Sequence, residues 1–528
     1  MILPSFIKKQ TIAEAAFLIA FINLLSKFIG FAREMLVANY FGVTAQTDAF
    51  LVALIVPSAL LGLFAAGLGT LIVPFYLEKK AVAIEEARKF VNSTFLVWGS
   101  ISVLVSILIL AFAPVLVKII AYGFKGERLN LAVTLTRYLV LAGLSTVLVG
   151  FFTGIFQAEK QFFLPAFVSL ISNGLIVVSL YFLHSQLGIH SWTVGQLLFA
   201  VVQFLILFSF LYFRRNLFHT LSYQQIDWKE ISRFAALLFP LIFSGGLSIL
   251  NQIVDKTIAS VLDTGSIAAL NFATRVWQIP ITLLAVPIAT AIFPTFSELA
   301  IEGQTKEEYE SKLNRTVGIT FCLIIPSTVL IFILAAPLVQ LFFERGAFDA
   351  GATTLTASAV RMYILALFAH AASPILARSF YSFKNTRTPL IISAMTVTLN
   401  IILNIILSKI LGAPGIALAT SISMIFNFIF FNLFLKKYLN PFSSRLAKET
   451  LKIILSSIPA GIICYFSLPF FEGSSAATFS SFFQLTVRIG AVGLISVSLF
   501  VISALILKSE SLQSLKTYPR LYIGRLLP

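Results

Sequence analysis

Charge is what this chain has least of. Only 11% of its 528 residues are Asp, Glu, Lys or Arg, whereas a soluble domain carries about 25%. A chain that is 58% hydrophobic, with a mean hydropathy of +0.96, cannot cover itself with polar surface, and a water-soluble globule is excluded. Cysteine is nearly missing. Cys322 and Cys464 lie far apart in apolar segments, so no disulfide framework is expected and both read as small core hydrophobes. The four histidines are scattered, without metal-ligand spacing. There is no P-loop, no HExxH and no Ser/His/Asp arrangement. ATP hydrolysis is therefore not expected, and the chain reads as a transporter rather than an enzyme.

Long apolar runs are what it does have. A hydrocarbon core of about 30 Å needs roughly 20 apolar residues per helix, and fourteen stretches meet that need. They are about 12–40, 49–77, 91–121, 132–157, 163–183, 193–213, 233–261, 266–297, 316–343, 354–383, 388–411, 413–435, 450–471 and 484–507. No small-residue cleavage site follows Lys8 and Lys9, so the first run reads as a retained helix. The fold class expected is an all-α polytopic membrane protein.

The net charge of +16 does not point to nucleic acid, because the excess lies in short loops. Counted through alternate loops, 24 Lys and Arg fall on one side and 4 on the other. This bias places both termini in the cytoplasm and attracts anionic membrane lipids. It also supports an even number of spans.

The chain resembles itself at an offset near 224. Phe156–Pro165 (FQAEKQFFLP) matches Phe380–Pro389 (FYSFKNTRTP), and Leu187-Gly188 falls on Leu411-Gly412. Pro57 falls on Pro280 and Arg33 on Lys256, at an offset of 223. Six spans separate the copies, so both have one orientation, a parallel repeat of two six-helix lobes. The expected division is 1–220 for the first lobe, 221–440 for the second, and 441–528 for two additional spans and a basic tail. Such an architecture predicts a cavity between the lobes and alternating access. Prolines 57, 74, 280, 287, 294 and 326 inside or at the ends of spans read as hinges or as static kinks.

Ten cations fall within the apolar stretches: Lys27, Arg33, Lys118, Arg137, Lys256, Arg275, Arg361, Arg378, Lys452 and Arg488. Those near span ends can reach headgroups. Lys27, Arg33, Lys256 and Arg275 lie deeper, where a cation costs about 3 kcal/mol or more unless it faces water or a partner. Lys27 and Arg33, six residues apart, stand about 120° apart around a helix. The deep acids are few: Glu34, Asp48 and Asp255. The four cations therefore read as the lining of a chamber for a pyrophosphate or similar multiply charged headgroup. Asp48 reads either as a helix cap or as a partner of Arg33. Asp255, Asn400, Asn404 and Thr420 offer oxygens for a small hard cation such as sodium, or interhelical hydrogen bonds.

Several motifs resemble the MurJ/MviN family of bacterial lipid flippases, within the multidrug/oligosaccharidyl-lipid/polysaccharide exporter superfamily. Gly30-Phe31-Ala32-Arg33-Glu34, Phe41-Gly42 and Thr47-Asp48-Ala49-Phe50 are similar to its GFxRD and FGxxxxxDAF. Asp255 to Ser260, Asn271-Phe272-Ala273-Thr274-Arg275, Phe343-Glu344-Arg345-Gly346-Ala347-Phe348 and Phe380-Tyr381 with Thr386 to Pro389 add to the likeness. It covers about the first 440 residues.

The resemblance implies fourteen helices, with two lobes of six and two extra helices forming a hydrophobic groove. It implies a monomeric flippase of the bacterial inner membrane that moves lipid II, the undecaprenyl-pyrophosphate-linked peptidoglycan precursor, outward for cell wall biogenesis and cell shape. It assigns the headgroup to Lys27, Arg33, Asp48 and Arg275, with Lys27 where the family usually has Arg. It assigns sodium to Asp255, Asn400, Asn404 and Thr420, with Asn404 where sodium-binding relatives have Asp. One segment departs. The family commonly reads LPNLxRRxFAEGAF in its second span, and here Leu61, Gly62 and Ala66 replace the Arg pair and the Glu. Lys256 is the candidate to restore part of that charge. A different lipid-linked oligosaccharide and a cation-coupled multidrug exporter are the alternatives, the latter calling for deep acids where this chain has bases.

Overall fold

The computed structural model describes residues 12–215, 217–218, 226–301, 305–471 and 479–515. Lys8, Lys9 and the basic tail beyond Leu515 lie outside these residues. The described residues form helices and no strand, as lipid demands, since a helix satisfies its own backbone polar groups. Among the described residues twelve helices are long and apolar enough to cross a membrane, and one bent pair adds a thirteenth. Helix α1 (Ile12–Phe41), 30 residues long, stands where the first span is expected.

The chain forms two compact units, Met1–Gly265 and Ser266–Pro528. The first holds α1, α2 (Ala45–Val82), α3 (Ile84–Ile120), α4 (Gly126–Ala158), α5 (Phe163–Leu187), α6 (His190–Arg215) and α7 (Trp228–Ser260). Helix α2 is its axis and packs on α3, α4 and α7. Glycines let α2 and α4 meet backbone to backbone. A Cβ on Gly150 would stand 2.6 Å from the Ala65 carbonyl oxygen, and one on Gly69 would stand 2.8 Å from that of Gly150. In lipid, where apolar burial drives little, such close packing holds helices together.

Compactness and repeat divide the chain differently. The repeat opens its second copy with α7, yet α7 is fastened to the first six helices. Lys79 pairs with Glu230 at 2.8 Å and Glu78 with Arg233 at 2.7 Å, and the far end of α7 meets the α3–α4 turn, where the Gly123 amide donates to Ser260 Oγ at 3.1 Å. By compactness the units part at Gly265, with the last two spans in the second unit.

That unit holds α8 (Ser266–Pro280), α9 (Val286–Ile301), α10 (Lys306–Ile333), α11 (Ala335–Phe343), α12 (Ala350–Ile364), α13 (Leu367–Ser382), α14 (Arg387–Leu411), α15 (Ala413–Leu435), α16 (Ser444–Phe466) and α17 (Phe479–Ile506). Its core, with Phe296, Phe321, Ile375, Phe380 and Ile453 wholly buried or nearly so, has α10 packed on both α13 and α16. Pro280 is followed at once by a π-helical turn, Ile281–Ala285, as a residue without an N–H disturbs the ladder. The 43° bend between α12 and α13 falls at Leu365-Ala366, where there is neither proline nor glycine. Ser421 of α15 donates to the carbonyl oxygens of Met362 at 2.6 Å and Tyr363 at 3.0 Å, supplying a partner to groups that the break releases.

The repeat is visible in local geometry. Lys160 and Lys384 both adopt left-handed backbone, with φ of 56° and 55°. The amides after them reach back alike, Gln161 to Phe156 and Asn385 to Phe380. Gly188 and Gly412 cap their helices with φ/ψ of 51°/−133° and 65°/−140°. Each pair keeps the offset of 224.

The α2–α4 contact is testable. Gly150→Leu, overpacking a backbone contact, is expected to cost about 1–3 kcal/mol, read as a lower melting temperature of the purified protein. Gly174→Ala, whose Cβ meets nothing within 4 Å, should be near neutral.

Candidate functional site

In the first unit the predicted residues gather along α1, the start of α2 and the end of α7. Arg33 lies part-buried on α1, and its Nη2 donates to Glu34 Oε1 at 2.8 Å. Glu34 is 2% exposed. The carboxylate next in sequence therefore takes up part of the arginine's charge. Lys27 is exposed on the same helix. Lys256 on α7 points its Nζ at the Leu51 carbonyl oxygen of α2, 3.3 Å away. That oxygen can accept a second hydrogen beside its helical one.

Asp48 is the most deeply buried of the set, with 0% of its side chain exposed. Helix α2 begins at Ala45 with Thr44 as its N-cap, so Asp48 sits in the first turn rather than at the cap. Its carboxylate accepts from the Arg128 guanidinium, at the start of α4, and from the Gly265 amide at 2.7 Å. Arg128 also lies over the Phe124 ring, 3.8 Å from its centroid. The expected alternatives, helix cap or Arg33 pair, thus give way to a junction of three turns. Glycine makes it possible. Gly265 has φ +92°, and a Cβ there would stand 2.5 Å from Val43 Cγ1. Arg128 read as a plain loop charge in the sequence. Only folding brings it to a carboxylate 80 residues away.

Arg275 belongs to the second unit, part-buried on α8. Asp255 belongs to the first, on α7. Asn400, Asn404 and Thr420 come together in the second unit. Asn404 Nδ2 donates to Asn400 Oδ1 at 2.8 Å, and Asn400 Nδ2 lies 3.4 Å from Thr420 Oγ1. One turn away Asn427 Nδ2 donates to Thr396 Oγ1 at 2.9 Å, a pair that sequence reasoning missed. These side chains form a polar seam between α14 and α15.

Two family-like motifs serve structure. In FERGAF, Glu344 accepts from the Thr353 hydroxyl at 2.6 Å and Arg345 donates to the Leu341 carbonyl at 2.6 Å. Burial pulls the Arg345 guanidinium below its ordinary range. Phe343 and Phe348 pack on Phe272 with centroids 5.0 and 5.3 Å away. In the second motif Asn385 braces the turn through Thr388, accepting from its amide at 3.1 Å. The second unit also has an open cleft of about 820 Å³ near the start of α10, lined by Glu310, Arg315, Arg445, Glu449 and Glu510 among others. Glu449 there binds the Ser509 hydroxyl and the Ser511 amide, which holds the end of the described chain in place.

Helices of spanning length, a half-length local repeat and ionisable side chains held at membrane depth define a polytopic membrane transporter. The family model described as "Lipid II flippase MurJ" matches residues 37–484, and the chain belongs to that family. The lipid II flippase MurJ of Burkholderia cenocepacia is 31% identical over 385 residues, 70% of this chain and 73% of the relative. The probable lipid II flippase MurJ of Rickettsia prowazekii is 27% identical over 399 residues, 74% and 77% of the two chains. A solved structure described as lipid II flippase MurJ in an inward closed conformation superposes with a TM-score of 0.78 at 28% identity, covering 93% of this chain and 98% of that one. An inward-facing multidrug resistance MATE family transporter shares the fold, with a TM-score of 0.66 at 19% identity over 82% and 99% of the two chains.

The Asp48 junction yields a stability test. Arg128→Met leaves a buried carboxylate without its counterion. Breaking such a pair costs about 3–5 kcal/mol, here toward the lower end because the Gly265 amide stays. In thermal unfolding of purified variants, Asp48→Asn with Arg128→Met should lose less than the two single losses added. Strict additivity would show that the pair is not coupled.

Proposed function

We propose that this chain translocates a polyprenyl-pyrophosphate-linked cell-wall precursor, lipid II, from the cytoplasmic to the outer leaflet by alternating access. The observation that carries the reading is the MurJ match running through both units, residues 37–484. Site chemistry supports it. Arg33 offers a planar fork suited to a pyrophosphate, and Lys256 a compact charge held by a carbonyl. The residues we assign to the headgroup are Lys27, Arg33, Asp48 and Lys256 of the first unit and Arg275 of the second. A ligand shifts a two-state equilibrium only by its differential affinity, so these cations must contact the headgroup unequally in the two states. Both termini lie in the cytoplasm of a bacterial inner-membrane protein that works as a monomer without catalysis, and the loop charge bias supports that orientation.

One observation favours a second cargo, another lipid-linked oligosaccharide. Leu61 of α2 is wholly buried, and Gly62 and Ala66 add no charge where the family commonly has two arginines and a glutamate.

A sodium ion would be held by the oxygens of Asn400, Asn404 and Thr420, with Asp255 the carboxylate the resemblance adds, and would supply coupling to an ion gradient. The donors suit a hard cation in kind. Asn400 Oδ1 already accepts from Asn404, however, and α14 and α15 carry no carboxylate at the seam.

Two measurements follow. Arg33→Ala and Arg275→Ala should each abolish growth complementation in a flippase-depleted cell while reaching the membrane at normal levels; full complementation by both would falsify the assignment. Asn404→Asp should raise the melting temperature in sodium over potassium by several degrees more than the parent chain shows. An equal response of the two would remove sodium from this seam.

A further inference from the structure

Arg378 has no part in the site above. It lies on α13, about 6 Å before that helix ends at Ser382, at 1.5 Å per residue. Its Nη2 donates to Thr290 Oγ1 of α9 at 3.2 Å. Thr290 passes its own hydroxyl proton to the Val286 carbonyl at 2.9 Å, which turns an oxygen lone pair toward the arginine. The guanidinium carbon stands 5.9 Å from the centroid of the Phe293 ring, near one turn further along α9. The charge is thus braced by a hydroxyl and an aromatic face, both neutral.

What it lacks is an anion. Among the described residues no carboxylate oxygen comes within 4 Å of Arg378, and its Nη1 is buried with no hydrogen-bond acceptor. A cation inside a span normally meets an acid or a set of carbonyls. The carbonyls at the end of α13 are already taken. Ser379 and Tyr381 accept from the Phe383 and Lys384 amides, and Phe380 accepts from Asn385. Serving the helix terminus does not account for this side chain. The surroundings are reachable, since Thr290 is exposed and Phe293 is 36% exposed.

We propose that Arg378, positioned by Thr290 and Phe293, is a phosphate-binding residue that takes the phosphoryl oxygens of a membrane lipid beside the end of α13. A guanidinium offers five donors in a fork that matches a phosphate face, and two or more of them are left for such a ligand. The carrier's pyrophosphate is the occupant under the flippase reading, and that choice of occupant rests on it. An anionic phospholipid headgroup offers the same chemistry.

The test is lipid binding to the full-length purified protein, followed by native mass spectrometry, with undecaprenyl pyrophosphate and phosphatidylglycerol titrated separately. Arg378→Gln should weaken binding about tenfold, as the loss of charge-assisted hydrogen bonds implies. Thr290→Val should weaken it about threefold by freeing the guanidinium, and Arg378→Lys should fall between the two. Melting temperatures check that the variants fold. A loss confined to undecaprenyl pyrophosphate assigns the carrier, and a loss that includes phosphatidylglycerol assigns a lipid phosphate of either source. Unchanged binding of both lipids in folded Arg378→Gln and Thr290→Val overturns the proposal. Arg33→Ala separates it from the flippase reading: normal transport by that variant, with Arg378→Gln still weakened for lipid, removes the reading and leaves the phosphate site standing.

Discussion

A carboxylate with no access to water must be answered by donors, and much of the first unit is arranged to answer Asp48. Desolvating an ion costs several kcal/mol even after relaxation. The arginine at the start of α4 and an amide in the turn after α7 meet that cost together. Neither donor is local in sequence. The three turns that close α1–α2, α3–α4 and α7–α8 must therefore converge before the carboxylate can be both buried and charged. Glycines fix how closely they do so. At Gly123 a Cβ would fall 2.1 Å from the Ser260 carbonyl oxygen, so the α3–α4 turn lies directly on the end of α7. With the ion pairs at its other end, α7 is held to the first unit at both termini.

The same dielectric argument shapes the cations. Arg33 beside Glu34 is not a bare charge. Its immediate neighbour holds one arm of the fork, which makes a guanidinium at membrane depth affordable. Five donors are more than one carboxylate oxygen can use, so a bound phosphate competes for the remainder without first breaking the pair. Lys256 of α7 reaches α2, its Nζ 3.3 Å from the Leu51 carbonyl oxygen. A ligand biases a conformational equilibrium only through its differential affinity for the two states.

How legible was this in the sequence? Helices and their turns were, because composition forces helix in lipid and the repeated FQAEKQFFLP and FYSFKNTRTP segments carry one turn geometry. Lys160 and Lys384 share a left-handed backbone that most residues avoid, and the same local backbone hydrogen bonds, Gln161 to Phe156 and Asn385 to Phe380, close both turns. The disturbance after Pro280 was legible for the same local reason. The break at Leu365-Ala366 was not, since no proline or glycine marks it and the hydroxyl that serves its carbonyls arrives from α15. Nor was the Asp48 junction, whose partner Arg128 looked like any loop cation counted for topology. Asn400 and Asn404 were visible as an i, i+4 pair, but their hydrogen bond to each other, and the Thr396–Asn427 rung beside it, depended on the register of α14 against α15. Local chemistry was readable throughout, whereas pairings across tens of residues were readable only where a repeat doubled the signal.

The departure in α2 now has a physical account. Leu61 is wholly buried against α4, and a Cβ on Gly143 would stand 2.8 Å from its Cδ1. An arginine at that position would bring a charge, whose N–H groups all need acceptors, into a dry contact between two helices. An apolar side chain at 61 fits the close approach of α2 and α4 at Gly143, Gly150 and Gly69. Position 62 differs, because a Cβ on Gly62 meets nothing within 4 Å. Its neutrality is not imposed by packing. Of the two positions, Leu61 lies in a packed helix contact and Gly62 faces open space, so this stretch of α2 presents shape rather than charge.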